Sequence, residues 1–153
     1  MLGLEWLSSS HENTLLVLID IINLVDNEDI LWYTSCLDRI DPLYCLLENK
    51  AFTGQSLVRI LKEYDDILEI TVKAYPKKDF SISLPFNDIK NTNTYRDFLN
   101  SPCLISYYCY DSCYQDVYTK DLRLLNNIRK ILIKHEAKSI CAIMEPDEYR
   151  SWF

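Results

Sequence analysis

The hydrophobic pattern of this chain is clearest in the stretch Cys103–Met144. Two short runs rich in Tyr, Val, Ile and Cys flank Asp111-Ser112, which is typical of two strands joined by a tight turn. In Asp121–His135 the apolar residues recur at helical spacing, and the first residue is a good N-cap. A further apolar run follows at Ser139–Met144. The stretch therefore predicts a β-hairpin followed by a β-α-β crossover.

The rest of the chain alternates strand-like and helix-like stretches. Glu12–Val25 is apolar nearly all round, which predicts a well-buried helix. In Ile67–Tyr75 apolar residues alternate with polar ones, which predicts a strand with one core face and one wet or lightly covered face. Lys77–Asn91 has no clear pattern. The other predicted elements are strands at Leu2–Leu7, Ile30–Cys36 and Leu43–Leu47, a helix from Gln55 or Ser56 to Tyr64, and a short helix ending at Leu99.

This order of elements predicts an α+β fold. Helices interleaved with strands, together with one hairpin, favour a mixed β-sheet with helices packed mainly on one face. A chain of 153 residues is long enough to bury one substantial core. We therefore expect a single α+β domain over residues 1–153.

The net charge of −7 is concentrated in the first third of the chain. Up to residue 50 there are nine acidic residues against two basic ones, whereas the remainder has 14 of each. Such a field repels phosphate backbones, so a nucleic-acid partner is not expected, and it favours a protein partner with a basic surface. Solubility alone is the simpler explanation of this charge.

Nothing in the sequence predicts a membrane-bound or exported protein. The apolar stretch Leu15–Val25 contains Asp20 and is shorter than the ~20 residues of a membrane span. No Lys or Arg precedes Arg39, so the basic start of a signal peptide is missing. We expect a cytoplasmic location, where the six cysteines would be thiols.

No pattern predicts a metal or a cofactor. A tight hairpin would place Cys109 and Cys113 nearly opposite each other, but no second pair of ligands accompanies them. Buried thiols that act as small apolar side chains are the favoured interpretation. With two glycines in the chain, no glycine-rich phosphate loop can be built.

Tyrosine is the strongest compositional signal, with 11 in the chain and five in the hairpin. Tyrosine is enriched at binding hot spots because it offers a large contact area and a hydroxyl at low entropic cost. Packing of these rings inside the protein is the simpler alternative. Alternation along the strands places several of them on shared faces. The candidate binding residues are Tyr108, Tyr110, Tyr114, Tyr118 and the turn residue Asp111.

Two functional hypotheses follow. The first is a non-catalytic protein-binding or regulatory module of the inhibitor or immunity type, which uses the tyrosine-rich hairpin or the acidic first third. The second is a small cytoplasmic enzyme whose site is assembled from Asp38, Asp41, Asp111 and His135. Self-association through the hairpin is a third, weaker hypothesis.

Six short motifs, taken in order, resemble one known family. It is a family of small bacterial proteins designated as domain of unknown function 2691, and the motifs cover about two thirds of the chain. The resemblance implies a fold and a bacterial source, but no activity and no site. The motifs are Phe52-Thr53-Gly54, Lys73-Ala74-Tyr75-Pro76, Thr94-Tyr95-Arg96-Asp97-Phe98-Leu99, Asp111-x-x-Tyr114, Val117-Tyr118-x-Lys120-Asp121 and Arg150-Ser151-Trp152.

Overall fold

The structure is a computed structural model that describes residues 2–35, 44–80 and 95–144. The strands are β1 (Gly3–Leu7), β2 (Ile30–Ser35), β3 (Lys50–Phe52), β4 (Ile70–Pro76), β5 (Ile105–Tyr110), β6 (Tyr114–Thr119) and β7 (Lys138–Ile143). The helices are α1 (His11–Val25), α2 (Tyr44–Leu47), α3 (Gly54–Leu61), α4 (Tyr95–Asn100) and α5 (Leu122–Lys134), and a 3-10 helix covers Lys77–Phe80.

The strands form one seven-stranded sheet in the order β3-β2-β4-β5-β6-β1-β7. The predicted α+β class is confirmed. The sheet is not mixed, however, because every described pairing is antiparallel. The reason is that β1 lies between β6 and β7. These two strands run parallel to each other, as the crossover through α5 requires, but each pairs with β1 instead of with the other.

Three helices cover one face of the sheet, called here the inner face. Helix α1 is central, because it packs against α3 on one side and α5 on the other. Helix α3 lies over β2 and β3, and α5 lies over β6 and β1. The core between helices and sheet includes Leu18, Trp32, Val72, Tyr107 and Leu132. We expected the helices to pack mainly on one face of the sheet, and this is observed except for α4.

Helix α4 packs on the opposite face, called here the outer face. Its Phe98 joins a second buried cluster with Tyr33, Tyr75, Cys103 and Tyr118. The second face of β4 was expected to be wet or lightly covered. Instead Thr71, Lys73 and Tyr75 are buried, because this part of the outer face has its own apolar cover.

Local signals account for most element boundaries. Asp121 caps α5 as expected, since its side chain accepts from the amides of Arg123 and Leu124. Thr53 caps α3 in the same way. The strand predicted at Leu43–Leu47 is wrong, because Tyr44–Leu47 is a helical turn that buries Leu47.

Two regions had no clear prediction from the hydrophobic pattern of the sequence. The three-residue strand β3 was not predicted, and it follows a turn in which Asn49 has a left-handed φ of 52°. The unpatterned stretch Lys77–Asn91 begins with the 3-10 helix, and its residues 81–91 lie outside the described part of the chain.

Among the described residues, no helix is both long enough and apolar enough to cross a membrane.

Candidate functional site

The β5-β6 hairpin turns through two left-handed residues without a glycine. Asp111 and Ser112 have φ values of 50° and 58°. The turn is held from two sides, because the Ser112 amide donates to the Leu68 carbonyl (2.9 Å) and the Ser112 carbonyl accepts from the Thr14 hydroxyl (2.6 Å). These bonds stabilise a backbone conformation that L-residues rarely adopt.

The register of the strands arranges outer-face side chains in rows across the sheet. Tyr108 lies opposite Asp116, Asp116 opposite Glu5, and Glu5 opposite Cys141. In the next row Tyr110 lies opposite Tyr114, which in turn lies opposite Leu7. These rows run from β5 to β7. They combine residues that are far apart in the sequence.

A cavity of ≈ 780 Å³ lies over these two rows and is called here the outer groove. Its aromatic wall consists of Tyr108, Tyr110 and Tyr114, and Leu7 adds apolar surface. Tyr110 is 55% exposed and Tyr114 is 53% exposed, so both rings are open to a ligand. On the β7 side the groove is lined by Ser139 and Cys141.

The outer groove is acidic. Glu5, Glu69 and Asp116 line it, and no Lys or Arg is among the described lining residues. Glu5 and Asp116 are direct cross-strand neighbours, an arrangement in which like charges destabilise a sheet.

Tyr108 joins the aromatic wall to the acidic lining. Its hydroxyl donates to Oε1 of Glu69 at 2.6 Å. Burial raises the pKa of Tyr108, and the hydrogen bond to Glu69 raises it further, so the phenol stays protonated.

Two of the five candidate residues lie away from the outer groove. Tyr118 is on the same face but only 2% exposed, and its ring centroid lies 6.1 Å from that of Tyr95. Asp111 is exposed at the hairpin turn and does not line the groove. The structure therefore brings together Tyr108, Tyr110 and Tyr114, and adds Asp116 and Glu5 to them.

Lys73 is buried in the covered part of the outer face and is not among the candidate binding residues predicted from the sequence. It is 4% exposed, and burial lowers its pKa to about 8. The neighbouring Cys103 is fully buried, and burial raises its pKa to about 11 in spite of the positive charge of Lys73. A thiol in this state is protonated, so Cys103 is not an activated nucleophile.

The hairpin cysteines do not form a pair of ligands. Cys109 lies opposite Gln115 and not opposite Cys113, because the hairpin is closed by Tyr110 and Tyr114 and Cys113 is part of the turn. Burial raises the pKa of Cys109, as expected for an inert core thiol. Within the described ranges, no group of three or more His, Cys, Asp or Glu side chains is placed to hold a metal ion.

The residues proposed for an enzyme site are not assembled in the outer groove. Nε2 of His135 lies 2.8 Å from Oδ2 of Asp20, on the helix side of the sheet, and Lys134 contacts the same oxygen. Asp38 and Asp41 lie outside the described residues. Neither His135 nor Asp111 lines the groove.

Sequence reasoning missed the acidic lining of the groove. Alternation in Leu2–Leu7 does place Glu5 on the face opposite Leu4 and Trp6. The missing information was the strand order, since only the insertion of β1 between β6 and β7 brings Glu5 beside Asp116. Glu69 likewise precedes β4 and reaches the groove through its bond with Tyr108.

Comparison with known proteins identifies a family but no activity. The sequence model of one family matches residues 10–153, and its description reads "Protein of unknown function (DUF2691)". The resemblance drawn from the order of the motifs is thereby confirmed. No curated protein and no solved structure matches the chain.

Proposed function

The chain belongs to this family of unknown function, and we propose that it is a non-catalytic binding module whose outer groove takes a basic segment of a protein partner. The observation that carries the proposal is the pair Tyr110 and Tyr114, two half-exposed rings set opposite each other beside three carboxylates. A guanidinium or ammonium group is attracted both to a tyrosine ring and to a carboxylate.

Arginine suits this groove better than lysine. Its planar guanidinium stacks on an aromatic ring and at the same time donates paired hydrogen bonds to a carboxylate. In the outer groove the ring of Tyr114 and the carboxylate of Asp116 are two residues apart on one face of β6. One arginine side chain can therefore stack on the ring of Tyr114 and face the acidic row of Glu5 and Asp116, of which Asp116 is 7% exposed.

The length of the outer groove fits a short extended segment. The groove reaches from β5 to β7, which is three strand spacings or roughly 14 Å. An extended chain covers that distance with about four residues. A segment with basic residues at alternate positions would direct them all to the sheet.

The charge of the whole chain supports the same partner. A net charge of −7 favours encounter with a basic surface and disfavours nucleic acid. A phosphate backbone would also meet the carboxylates of the groove directly.

The test is a titration of the full chain with acetyl-Gly-Arg-Gly-Arg-Gly-amide, followed by NMR. A matched peptide carries citrulline at both arginine positions, which keeps the shape but removes the charge. We expect the arginine peptide to bind at least about tenfold more tightly, equivalent to about 1.4 kcal/mol. The shifts should centre on Tyr110 and Tyr114.

Two variants make this test specific. Tyr110→Ala/Tyr114→Ala should lose about tenfold in affinity for the arginine peptide, because two cation–π contacts are removed. The matched control Leu122→Ala/Ile133→Ala removes two side chains of similar exposure from another surface and should bind normally. Circular dichroism establishes that both variants are folded. Equal binding of the two peptides, or full affinity in the folded tyrosine variant, would overturn the proposal.

A further inference from the structure

Helix α5 exposes one broad side, called here the α5 surface. At about 100° per residue, its exposed residues fall within an arc of about 160°, on the side opposite the buried residues Leu125, Ile128 and Leu132. The arc therefore points away from the sheet and the core. It includes two asparagines, and its other members are Leu122, Arg123, Arg129, Lys130, Ile133 and Lys134.

The α5 surface is basic although the whole chain is acidic. It carries four basic residues and no acidic one. Lys134 is paired with Asp20 at 2.7 Å, and no ion pair among the described residues involves the other three. The stretch Asp121–Met144 contains five basic residues and two acidic ones, so the net charge of −7 hides a local excess of positive charge.

Two large aliphatic side chains lie among these charges. Leu122 is 56% exposed and Ile133 is 64% exposed. They are 11 residues apart, which places them on one side of the helix at a distance of about 16 Å. Basic residues combined with exposed aliphatic ones on one helix face are typical of helices that lie in a membrane interface.

We infer that the α5 surface docks on an anionic lipid bilayer. Arg123, Arg129 and Lys130 lie in the headgroup layer, where they attract the charges of anionic lipids. The tips of Leu122 and Ile133 reach the boundary of the acyl chains and leave water. Because the screening length is about 8 Å at physiological ionic strength, this attraction depends on the local charge and not on the net charge of the chain.

A bilayer suits the α5 surface better than another polyanion does. Lipid headgroups can move to each cation, whereas an acidic protein must offer carboxylates at matching positions and a pocket for each aliphatic side chain. A phosphate backbone of nucleic acid would leave Leu122 and Ile133 in water. The bilayer alone accommodates both the charges and the aliphatic side chains of a convex helix.

Docking through α5 leaves the outer groove accessible. Helix α5 covers the inner face of the sheet, and the outer groove lies on the outer face. The two surfaces also attract ligands of opposite charge. The α5 surface is therefore independent of the outer groove, and either can be disproved without the other.

The test is sedimentation of the full chain with lipid vesicles in about 0.1 M NaCl. One set of vesicles is pure phosphatidylcholine, and the other contains about 30% phosphatidylserine. We expect binding to the anionic vesicles to be about 100-fold tighter, since each of three unpaired basic residues contributes about fivefold. A spin-labelled lipid headgroup should broaden the NMR signals of Leu122, Lys130 and Ile133 but not those of Tyr110.

Two charge variants locate the binding. Arg123→Gln/Arg129→Gln/Lys130→Gln should lose the preference for anionic vesicles. The matched control Arg59→Gln/Lys62→Gln/Lys77→Gln removes the same charge from other exposed positions and should bind like the wild type. Circular dichroism establishes that both variants are folded.

A third variant tests the aliphatic contact. Leu122→Gln/Ile133→Gln should bind anionic vesicles about tenfold more weakly and keep its preference for them. Equal binding of the wild type to both vesicles, an unchanged preference in the folded α5 charge variant, an equal loss in its control, or full affinity without the aliphatic side chains would each overturn the inference. Binding of poly-glutamate or duplex DNA, without binding of vesicles, would assign the α5 surface to another polyanion and overturn it as well.

Discussion

At the scale of single residues, Gly54 is required by one contact. A Cβ atom at this position would overlap the carboxylate of Asp26. That carboxylate accepts from Nε1 of Trp32 at 3.2 Å, so it cannot move without breaking a bond to a buried ring. Gly54 thus lets the first turn of α3 approach the end of α1.

Gly54→Ala should destabilise the protein by about 1–2 kcal/mol, as overpacking does elsewhere. In an Asp26→Ala background the same change should become neutral or stabilising by several tenths of a kcal/mol, because alanine is the better helix former. Urea denaturation of the four proteins of this cycle measures the coupling. If Gly54→Ala costs the same in both backgrounds, Asp26 is not the reason for the glycine.

Asp20 makes the stability dependent on pH. Burial acts to raise its pKa, but the hydrogen bonds and charges of Lys134 and His135 outweigh burial and hold the pKa below its ordinary value of 3.8. A lowered folded-state pKa means that the unfolded chain binds the proton more readily. The contribution of Asp20 is therefore complete above its ordinary pKa and is lost as the pH falls through the folded-state value.

Asp20→Asn should lower the free energy of unfolding by about 1 kcal/mol at neutral pH, since it removes one partner of two charged hydrogen bonds. The deficit should shrink progressively as the pH falls below 3.8, because the wild-type carboxylate takes up its proton over that range. Glu12→Gln, an exposed acid on the same helix, is the control and should show no comparable change. A deficit that is constant with pH would contradict this explanation.

At the scale of elements, the hairpin shows which parts of the fold the sequence predicts. The two strands and the turn position follow from alternation around Asp111 and Ser112. The left-handed conformation of Ser112 does not follow from the local sequence. It depends on a hydrogen bond donated by the Thr14 hydroxyl and on one accepted by the Leu68 carbonyl, and both residues are distant in the sequence. The helical turn Tyr44–Leu47 was mistaken for a strand for a related reason. One turn is too short to show a helical period.

Thr14→Val should therefore act on the hairpin although it lies in α1. The variant keeps the shape of the side chain but leaves the buried Ser112 carbonyl without its hydroxyl donor, which costs about 1–3 kcal/mol. Thr14→Ser keeps the donor and should cost less. Thermal unfolding ranks the two variants, and hydrogen exchange at the Ser112 amide shows whether the turn opens. A smaller loss in Thr14→Val than in Thr14→Ser would exclude the hydrogen bond as the cause.

At the scale of the whole molecule, the strand order creates the candidate site. Most helices and strands, and the sheet face on which each hairpin tyrosine lies, could be predicted from hydrophobic periodicity and residue propensity. The insertion of β1 between β6 and β7 could not, since it depends on long-range packing that no local pattern records. Because of that insertion the sheet is antiparallel and not mixed as expected. The same insertion adds Glu5 and Leu7 to the three tyrosines of the outer groove.

The dependence of peptide affinity on ionic strength should measure the electrostatic contribution to binding in the outer groove. Raising NaCl from about 0.05 M to about 0.5 M shortens the screening length to a few ångströms, so attraction between the arginine peptide and Glu5, Glu69 and Asp116 should weaken. We expect the affinity for the arginine peptide to fall by about tenfold, while that of the citrulline peptide stays nearly constant. Isothermal titration calorimetry measures both. Because apolar and aromatic contacts are not screened, an arginine peptide with salt-independent affinity would show that the rings bind it without help from the carboxylates.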